Sequence, residues 1–223
     1  MIKSKRKVFI SRDLKPGSPL FDLAGHLEII AESLLKFTPV PFSEIPNADW
    51  IFFYSQQGVK HFFDQWDQQI GSNWAAFGPK TGEMLKKKGL KVQFTGDGVA
   101  ASTAAGFKLL CRNQKVLFIR AAHSRKSLQT ELEGTCEILD LVVYDNQPRE
   151  EFSIPECNTL IFTSPMNAKS YFQVRQPDPQ QKIIAIGDTT RQALLDLGAK
   201  EVTIPGEPTE KAIVQLLVDQ FSL

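Results

Sequence analysis

The chain has 223 residues, of which 42% are hydrophobic and 23% are charged, and its formal net charge is +1. This ordinary composition excludes disordered, collagen-like and coiled-coil proteins. The near-zero charge gives no electrostatic reason to expect a nucleic-acid-binding protein, so an anionic ligand would have to be bound by local donors. The length allows one large domain or two small ones.

The cysteines and the first residues indicate the compartment. There are three cysteines, widely spaced and without a C-x-x-C pair, which is typical of a reduced, cytosolic protein. A basic leader precedes Val8–Ser11, which is too short for the core of a signal peptide. No stretch approaches 18 apolar residues, so we expect no membrane-spanning helix and a cytoplasmic location.

Short apolar runs alternate with segments whose apolar residues recur at helical spacing. The predicted strands are, in chain order, Val8–Ser11, Trp50–Tyr54, Trp74–Phe77, Lys91–Phe94, Val116–Ile119, Leu139–Val143, Thr159–Thr163, Ile183–Ile186 and Val202–Ile204. The predicted helices are Gly58–Trp66, Pro79–Lys88, Ala100–Leu110, Arg125–Glu133, Pro165–Val174, Thr189–Leu197 and Thr209–Phe221. This alternation predicts an α/β fold in which helices cover both faces of parallel sheets.

Two segments interrupt the alternation. Phe37–Phe42 is extended and holds two prolines, and Val143–Pro148 is similar in kind. We therefore predict linkers at 38–41 and 144–147. If they join two lobes, the chain ends together form one lobe and the middle of the chain forms the other, with the boundaries 1–37 plus 148–223 and 42–143.

The chain contains a long internal repeat. Phe53–Phe63 matches Phe162–Phe172, and Phe77–Gly89 matches Ile186–Gly198, each 109 positions further on. A repeat of this size predicts two similar lobes of about 100 residues, each with its own core. Ligand sites form preferentially between such lobes, so we expect the active site in a cleft between them.

Two glycine–threonine corners stand at matching places in the repeat. Gly78 and Thr81 lie where a predicted strand meets a helix, and Gly187 and Thr190 lie at the equivalent place in the second half. Glycine allows close approach of a ligand, and a helix start offers free N–H groups to a carboxylate or phosphate. The alternative is ordinary helix capping. The symmetric duplication favours binding.

Five further polar residues are candidates for the same site. Ser55 and Ser164 end matching strands and are either anion ligands or helix caps. Arg12 and Arg120 end the first strand of each half, where an arginine binds a carboxylate or forms a surface ion pair. Tyr144 is either a hydrogen-bond or proton donor or a half-buried linker aromatic.

Other site types find little support in the sequence. His26, His61 and His123 are isolated and lack the spacing of a metal site. There is no P-loop and no G-x-G-x-x-G, so a nucleotide phosphate loop is not predicted. We therefore predict no metal ion and no nucleotide cofactor.

Three motifs together resemble a known family. Phe77–Thr81, Ile161–Pro165 and Ala185–Thr190 resemble the "GPKT", "FTSP" and "AIGxTT" segments of uroporphyrinogen-III synthase. Val8–Arg12 and Leu117–Arg120 follow the family's order and spacing. The resemblance covers nearly the whole chain, and the ordered set of motifs is more specific than any one of them.

The resemblance implies a fold, a reaction and a site. The fold is two α/β lobes joined by a two-stranded linker. The enzyme would be a cyclising hydro-lyase without a cofactor, which converts hydroxymethylbilane to uroporphyrinogen III with loss of water and inversion of ring D. Tyr144 is the family-matched catalytic residue. The residues expected to bind the substrate are Arg12, Ser55, Gly78, Thr81, Arg120, Ser164, Gly187 and Thr190.

The expected partners follow from this reading. The substrate is a small molecule, and we expect no nucleic acid and no membrane as partners. A transient hand-over from hydroxymethylbilane synthase is compatible with this reading, and nothing requires more than a monomer. The alternatives are a non-catalytic two-lobed anion-binding protein and a degenerate homologue without activity.

Overall fold

The structure, a computed structural model, describes residues 5–222. The chain divides into two compact units. Unit 1 consists of the described residues up to Lys36 and from Gln147 onward, and unit 2 consists of Phe37–Asn146. Across residues 5–222, none of the helices has the length and apolar character needed to cross a membrane.

The elements alternate along the chain as an α/β fold requires. The strands are β1 (Arg6–Ile10), β2 (Leu27–Ala31), β3 (Leu35–Pro39), β4 (Trp50–Phe53), β5 (Asn73–Ala76), β6 (Val92–Thr95), β7 (Lys115–Ala121), β8 (Glu137–Pro148), β9 (Thr159–Phe162) and β10 (Lys182–Ala185). The helices are α1 (Gln56–Phe63), α2 (Pro79–Lys87), α3 (Ala100–Cys111), α4 (Ser127–Leu132), α5 (Pro165–Val174), α6 (Asp188–Asp196) and α7 (Glu210–Phe221). A short 3-10 helix spans Pro19–Leu23.

Unit 1 is built on a four-stranded parallel sheet in the order β10-β9-β1-β2. Neighbouring residues of β9 point to opposite faces of this sheet. Phe162 packs with Tyr171 and Leu194 of α5 and α6 on one face. Ile161 packs with Leu217 of α7 on the other face. Because both faces are covered, β9 is apolar at nearly every position.

Unit 2 is built on the sheet β3-β8-β7-β4-β5-β6, which is parallel from β8 to β6. Phe53 packs against α1 and α2 on one face, and Phe52 packs with Phe107 of α3 on the other. All four residues of β4 are buried, which explains its unbroken apolar run. The edge strand β3 is antiparallel to β8, since Val40 donates its backbone N–H to Val143 while Leu34 accepts from Arg149.

Several matched residues of the internal repeat lie at the starts and ends of helices. Pro79 and Pro165 occupy the first positions of α2 and α5, where a missing N–H costs nothing. Gly89 and Gly198 follow α2 and α6 with φ of +83° and +99°, a left-handed conformation that glycine adopts without strain. The repeated sequence therefore encodes equivalent helix starts and stops in the two units.

The structure differs from the sequence-based expectation in a few elements. The sequence analysis missed β2, β3 and the 3-10 helix. The predicted strand Val202–Ile204 forms only an isolated bridge between Thr203 and Ile184. The two linker segments, which were predicted to be extended and to form a two-stranded connection, lie in strands: Thr38 and Pro39 are in β3, and residues 144–147 are in β8. Pro39 is tolerated there because β3 is an edge strand.

Candidate active site

The carboxyl edge of the unit 2 sheet collects the polar candidates of the middle of the chain. The strands β4 to β8 are parallel, so their carboxyl ends lie at the same edge, which is where ligands bind in open α/β sheets. Ser55 follows β4, Gly78 follows β5, Arg120 lies near the end of β7, and Tyr144 of β8 pairs with Ala121, the last residue of β7.

Tyr144 and Ser55 form a hydroxyl pair at this edge. Their side-chain oxygens lie 3.0 Å apart, although the residues are 89 positions apart in sequence. Ser55 is also the N-cap of α1 and accepts a 3.0 Å hydrogen bond from the backbone N–H of Gly58. Because Ser55 accepts from Gly58, its own hydrogen is available to the phenol oxygen, and the phenol hydrogen is then available to another acceptor.

Two other rings contact the ring of Tyr144. His61 of α1 stacks on it, with ring centroids 5.1 Å apart and an interplanar angle of 16°. Phe37 of β3 lies 6.1 Å away at 47°. Burial raises the pKa of Tyr144, and the hydrogen bond with Ser55 opposes this in part. The phenol is therefore neutral near pH 7 and is a hydrogen-bond donor.

The first glycine–threonine corner lies at the start of α2. Gly78 is the N-cap of α2, and a Cβ added to it would lie 3.5 Å from the Cα of Gly98. Thr81 lies in the first turn of α2 and is 6% exposed. Pro79 has no N–H and Thr81 donates its own N–H to the carbonyl oxygen of Gly78, so the corner offers the N–H of Lys80 and the Thr81 hydroxyl as candidate donors.

Unit 1 has the corresponding set of groups. Ser164 is the N-cap of α5 and accepts hydrogen bonds from the backbone and the side-chain amide of Asn167, at 3.2 and 2.9 Å. Gly187 is the N-cap of α6. Thr190 is 3% exposed and donates its backbone N–H to the carbonyl oxygen of Gly187, as Thr81 does to Gly78. The repeat in sequence thus extends to the backbone hydrogen bonds of the two threonines.

The two candidate arginines are engaged in ion pairs. Arg12 pairs with Glu210 of α7 at 3.0 Å. Arg120, with a side chain 11% exposed, lies 3.0 Å from Asp140, and it donates to the carbonyl oxygen of Ala121. The ion-pair alternative considered for both residues therefore describes their geometry, and their contact with a substrate stays a prediction.

A polar network that the sequence analysis missed surrounds Asp140. Tyr54 donates to Gln129 at 3.2 Å, and Gln129 donates to Asp140 at 2.5 Å. Burial raises the pKa of Tyr54 to about 12. Burial also acts to raise the pKa of Asp140, but hydrogen bonds from Arg120, Lys126 and Gln129 outweigh it and lower that pKa. The one sign of this network in the sequence was Asp140 itself, a charged residue within the apolar run of β8.

His61 is the second residue whose surroundings the sequence did not reveal. It is 7% exposed, and its Nε2 atom is buried without a hydrogen-bond partner in the described part of the chain. Burial, assisted by the charge of Lys60 and opposed by Asp64, lowers its pKa. Its position three residues after the buried Gly58 placed it on the inner face of α1. Within residues 5–222, no group of three or more His, Cys, Asp or Glu side chains could hold a metal ion.

A family model matches most of the chain. The model is described as "Uroporphyrinogen-III synthase HemD" and matches residues 23–215. A comparison with curated proteins found no significant match.

Two solved structures are similar over nearly their whole length. The crystal structure of a uroporphyrinogen-III synthetase from Helicobacter pylori is 20% identical, with a TM-score of 0.74 over 96% of this chain and 99% of the other. A mutant uroporphyrinogen III synthase from the extremely thermophilic bacterium Thermus thermophilus is 17% identical, with a TM-score of 0.62 over 98% and 100% of the two chains. At these identities the likeness shows the fold.

Proposed function

The chain belongs to the uroporphyrinogen-III synthase family, and from that premise we propose how its own residues carry out the reaction. It is a lyase of tetrapyrrole biosynthesis that cyclises hydroxymethylbilane to uroporphyrinogen III, with loss of water and inversion of ring D. The family match over residues 23–215 carries this conclusion.

Tyr144 is the proposed catalytic residue for the loss of water. The bond between the hydroxymethyl carbon and its oxygen breaks with both electrons on the oxygen, which takes up a proton from solvent and leaves as water. The proton released at ring closure returns to solvent. The neutral phenol of Tyr144 donates a hydrogen bond to this oxygen. Ser55, 3.0 Å from the phenol oxygen, donates in turn and stabilises the charge that the phenol acquires. The raised pKa of Tyr144 favours hydrogen bonding over complete proton transfer.

The inversion of ring D depends on positioning more than on a single side chain. Loss of water leaves an electron-poor pyrrole, which the substituted carbon of ring D attacks to give a spiro species. That species reopens and recloses with ring D reversed, and a proton is lost at the end. Attack at the substituted carbon has to be chosen over attack at the open one, so the substrate must be held in one conformation.

The substrate's carboxylates are the proposed ligands of the helix starts. Each pyrrole carries an acetate and a propionate, so the bilane presents many anionic groups. Thr81 and Thr190 lie in the first turns of α2 and α6, at the positive end of each helix dipole, and their hydroxyls are the proposed donors to these carboxylates. We assign substrate binding to these corners, with Gly78 and Gly187 allowing close approach.

The serines and arginines are proposed to complete the binding set. Ser164 already accepts N–H hydrogen bonds and so offers its hydroxyl hydrogen to the substrate, whereas Ser55 donates to the phenol of Tyr144 and contributes to binding beside it. Arg12 and Arg120 pair with Glu210 and Asp140, and either would have to share its guanidinium with a substrate carboxylate. Arg12 is the better candidate, because its side chain is 35% exposed against 11% for Arg120.

The proposed setting is the cytoplasm, with substrate supplied by hydroxymethylbilane synthase. Three free cysteines are consistent with a reducing compartment. Free bilane cyclises spontaneously to the type I isomer. Direct transfer from the enzyme that makes the bilane would shorten its time in solution and so limit formation of type I. Channelling of this kind would appear as a lower type I fraction when the two enzymes act together than when free bilane is added.

Product analysis tests the function directly. Purified protein is supplied with hydroxymethylbilane, and the ring isomers are separated after oxidation to the porphyrins. The expected product is the type III isomer, formed in proportion to the amount of protein. Only type I, at the rate of the protein-free control, would support the non-catalytic alternative.

A further inference from the structure

His61 and Ser55 bring two different parts of one helix to the same tyrosine. Ser55 caps the start of α1 and contacts the hydroxyl of Tyr144, and His61 lies almost two turns later and stacks on the ring. The helix therefore sets both where the phenol oxygen lies and how the ring plane is turned. The end of the helix is tied to the strand that carries Tyr144, because Gln65 donates to the carbonyl oxygens of His61 and Val143.

The stack with His61 restricts side-chain rotation of Tyr144. A tyrosine on a strand reorients by rotation about χ1 and χ2. The nearly parallel imidazole, at 5.1 Å and 16°, blocks rotation of the ring toward α1, and Phe37 adds a second ring contact at 6.1 Å. A ring fixed in this way keeps its hydroxyl 3.0 Å from Ser55, and a displacement of 1 Å at a reacting group costs up to about a hundredfold in rate.

Packing alone does not explain a histidine at this place. The side chain is nine-tenths buried, yet its Nε2 has no hydrogen-bond partner within residues 5–222. A buried polar atom without a partner costs about 1–3 kcal/mol. A leucine would avoid this cost and fill a similar volume, but it would not present a flat surface to the phenol. The contact that the structure shows here is the face-to-face one between the two rings, and phenylalanine, which is flat and has no polar nitrogen, would keep that contact.

We propose that His61 is a positioning residue, whose planar side chain holds the ring of Tyr144 so that its hydroxyl meets the departing oxygen of the substrate. This rests on the proposed role of Tyr144. His61 itself does not touch the substrate. The proposal concerns the shape and flatness of the side chain, so phenylalanine replaces it and leucine does not.

Kinetics of three variants test the proposal. His61→Leu is expected to lower kcat about tenfold while KM stays within about threefold, and His61→Phe is expected to recover most of the loss. In a Tyr144→Phe background, which keeps the ring but lacks the hydroxyl, His61→Leu is expected to cost less than about twofold. An equal cost in both backgrounds, or a His61→Leu variant as fast as wild type, would overturn the proposal.

A measurement without substrate separates this proposal from the proposed function. The chain has three tyrosines, so ring-labelled tyrosine gives few NMR signals, and Tyr144→Phe identifies the signal of Tyr144. His61→Leu is expected to shift the Tyr144 ring signal and leave that of Tyr54 in place. An unmoved Tyr144 signal refutes the stack itself. If wild type instead forms no type III isomer while the Tyr144 signal moves, the proposed function fails and the ring contact stands.

Discussion

Substitution of Tyr144 by phenylalanine removes one oxygen and leaves the ring in place. The ring is 7% exposed and packs against His61 and Phe37, so its apolar contacts are retained. Ser55 still accepts from the N–H of Gly58 and therefore remains the cap of α1. The cost in unfolding free energy is that of one hydrogen bond, about 0.5–1.5 kcal/mol, and the variant is expected to fold.

The effect on turnover follows from the state of the phenol. Because burial raises the pKa of Tyr144, the group contributes a hydrogen bond to a charged oxygen in the transition state, not a completed proton transfer. Such a bond is worth about 1.5–3 kcal/mol, which corresponds to about a 10- to 150-fold loss in kcat. Full general-acid catalysis would give a loss of about 10²–10⁴-fold.

The assay is the rate of type III formation, with the isomer ratio measured beside it. Tyr54→Phe is the matched control, because it removes a hydroxyl that hydrogen-bonds to Gln129 in the same unit. Tyr54→Phe is expected to lower the unfolding free energy by about as much as Tyr144→Phe does, and to keep kcat within about twofold of wild type. The reasoning would be refuted by a folded Tyr144→Phe variant with wild-type kcat, or by one with no type III formation at all.

Three further predictions concern the corners, a glycine and a partly buried carboxylate. Thr81→Val and Thr190→Val remove the proposed donor hydroxyls and nearly keep the side-chain volume, so each is expected to raise KM about tenfold in steady-state kinetics with little change in melting temperature. Unchanged KM in both would contradict the binding assignment. Gly96→Ala places a Cβ 2.7 Å from a backbone carbonyl oxygen and is expected to cost about 1–3 kcal/mol in denaturant unfolding, whereas Gly71→Ala, with open space around it, is expected to be neutral. Asp140→Asn is expected to lower the melting temperature at neutral pH. Since the folded-state pKa of Asp140 is depressed, its contribution is complete above its usual pKa and is lost as pH falls through the depressed value, so the two melting curves converge in acid; a gap that persists there would refute the assignment.

The alternation of strands and helices could be predicted from sequence because it depends on local patterns. The run Trp50–Phe53 is apolar because both faces of its sheet are covered, and the prediction of Pro165–Val174 as a helix matches its bounds in the structure. The predicted α/β class and the assignment to the family are confirmed. The strands β2 and β3 were not predicted, because polar residues interrupt both of them: Glu28 in β2, and Lys36 and Thr38 in β3.

The partners of the candidate residues depended on the tertiary structure. Tyr144 was predicted to be a candidate from its place in the chain, but its contacts with Ser55 and His61 come from residues 89 and 83 positions away, brought together by the β4-β7-β8 strand order. Arg12 illustrates the same point, because its partner Glu210 lies 198 positions further on. A sequence specifies which groups a strand end carries. The register and order of the strands decide which of those groups meet, because pairing across a sheet depends on the burial of whole faces and not on any neighbouring residue.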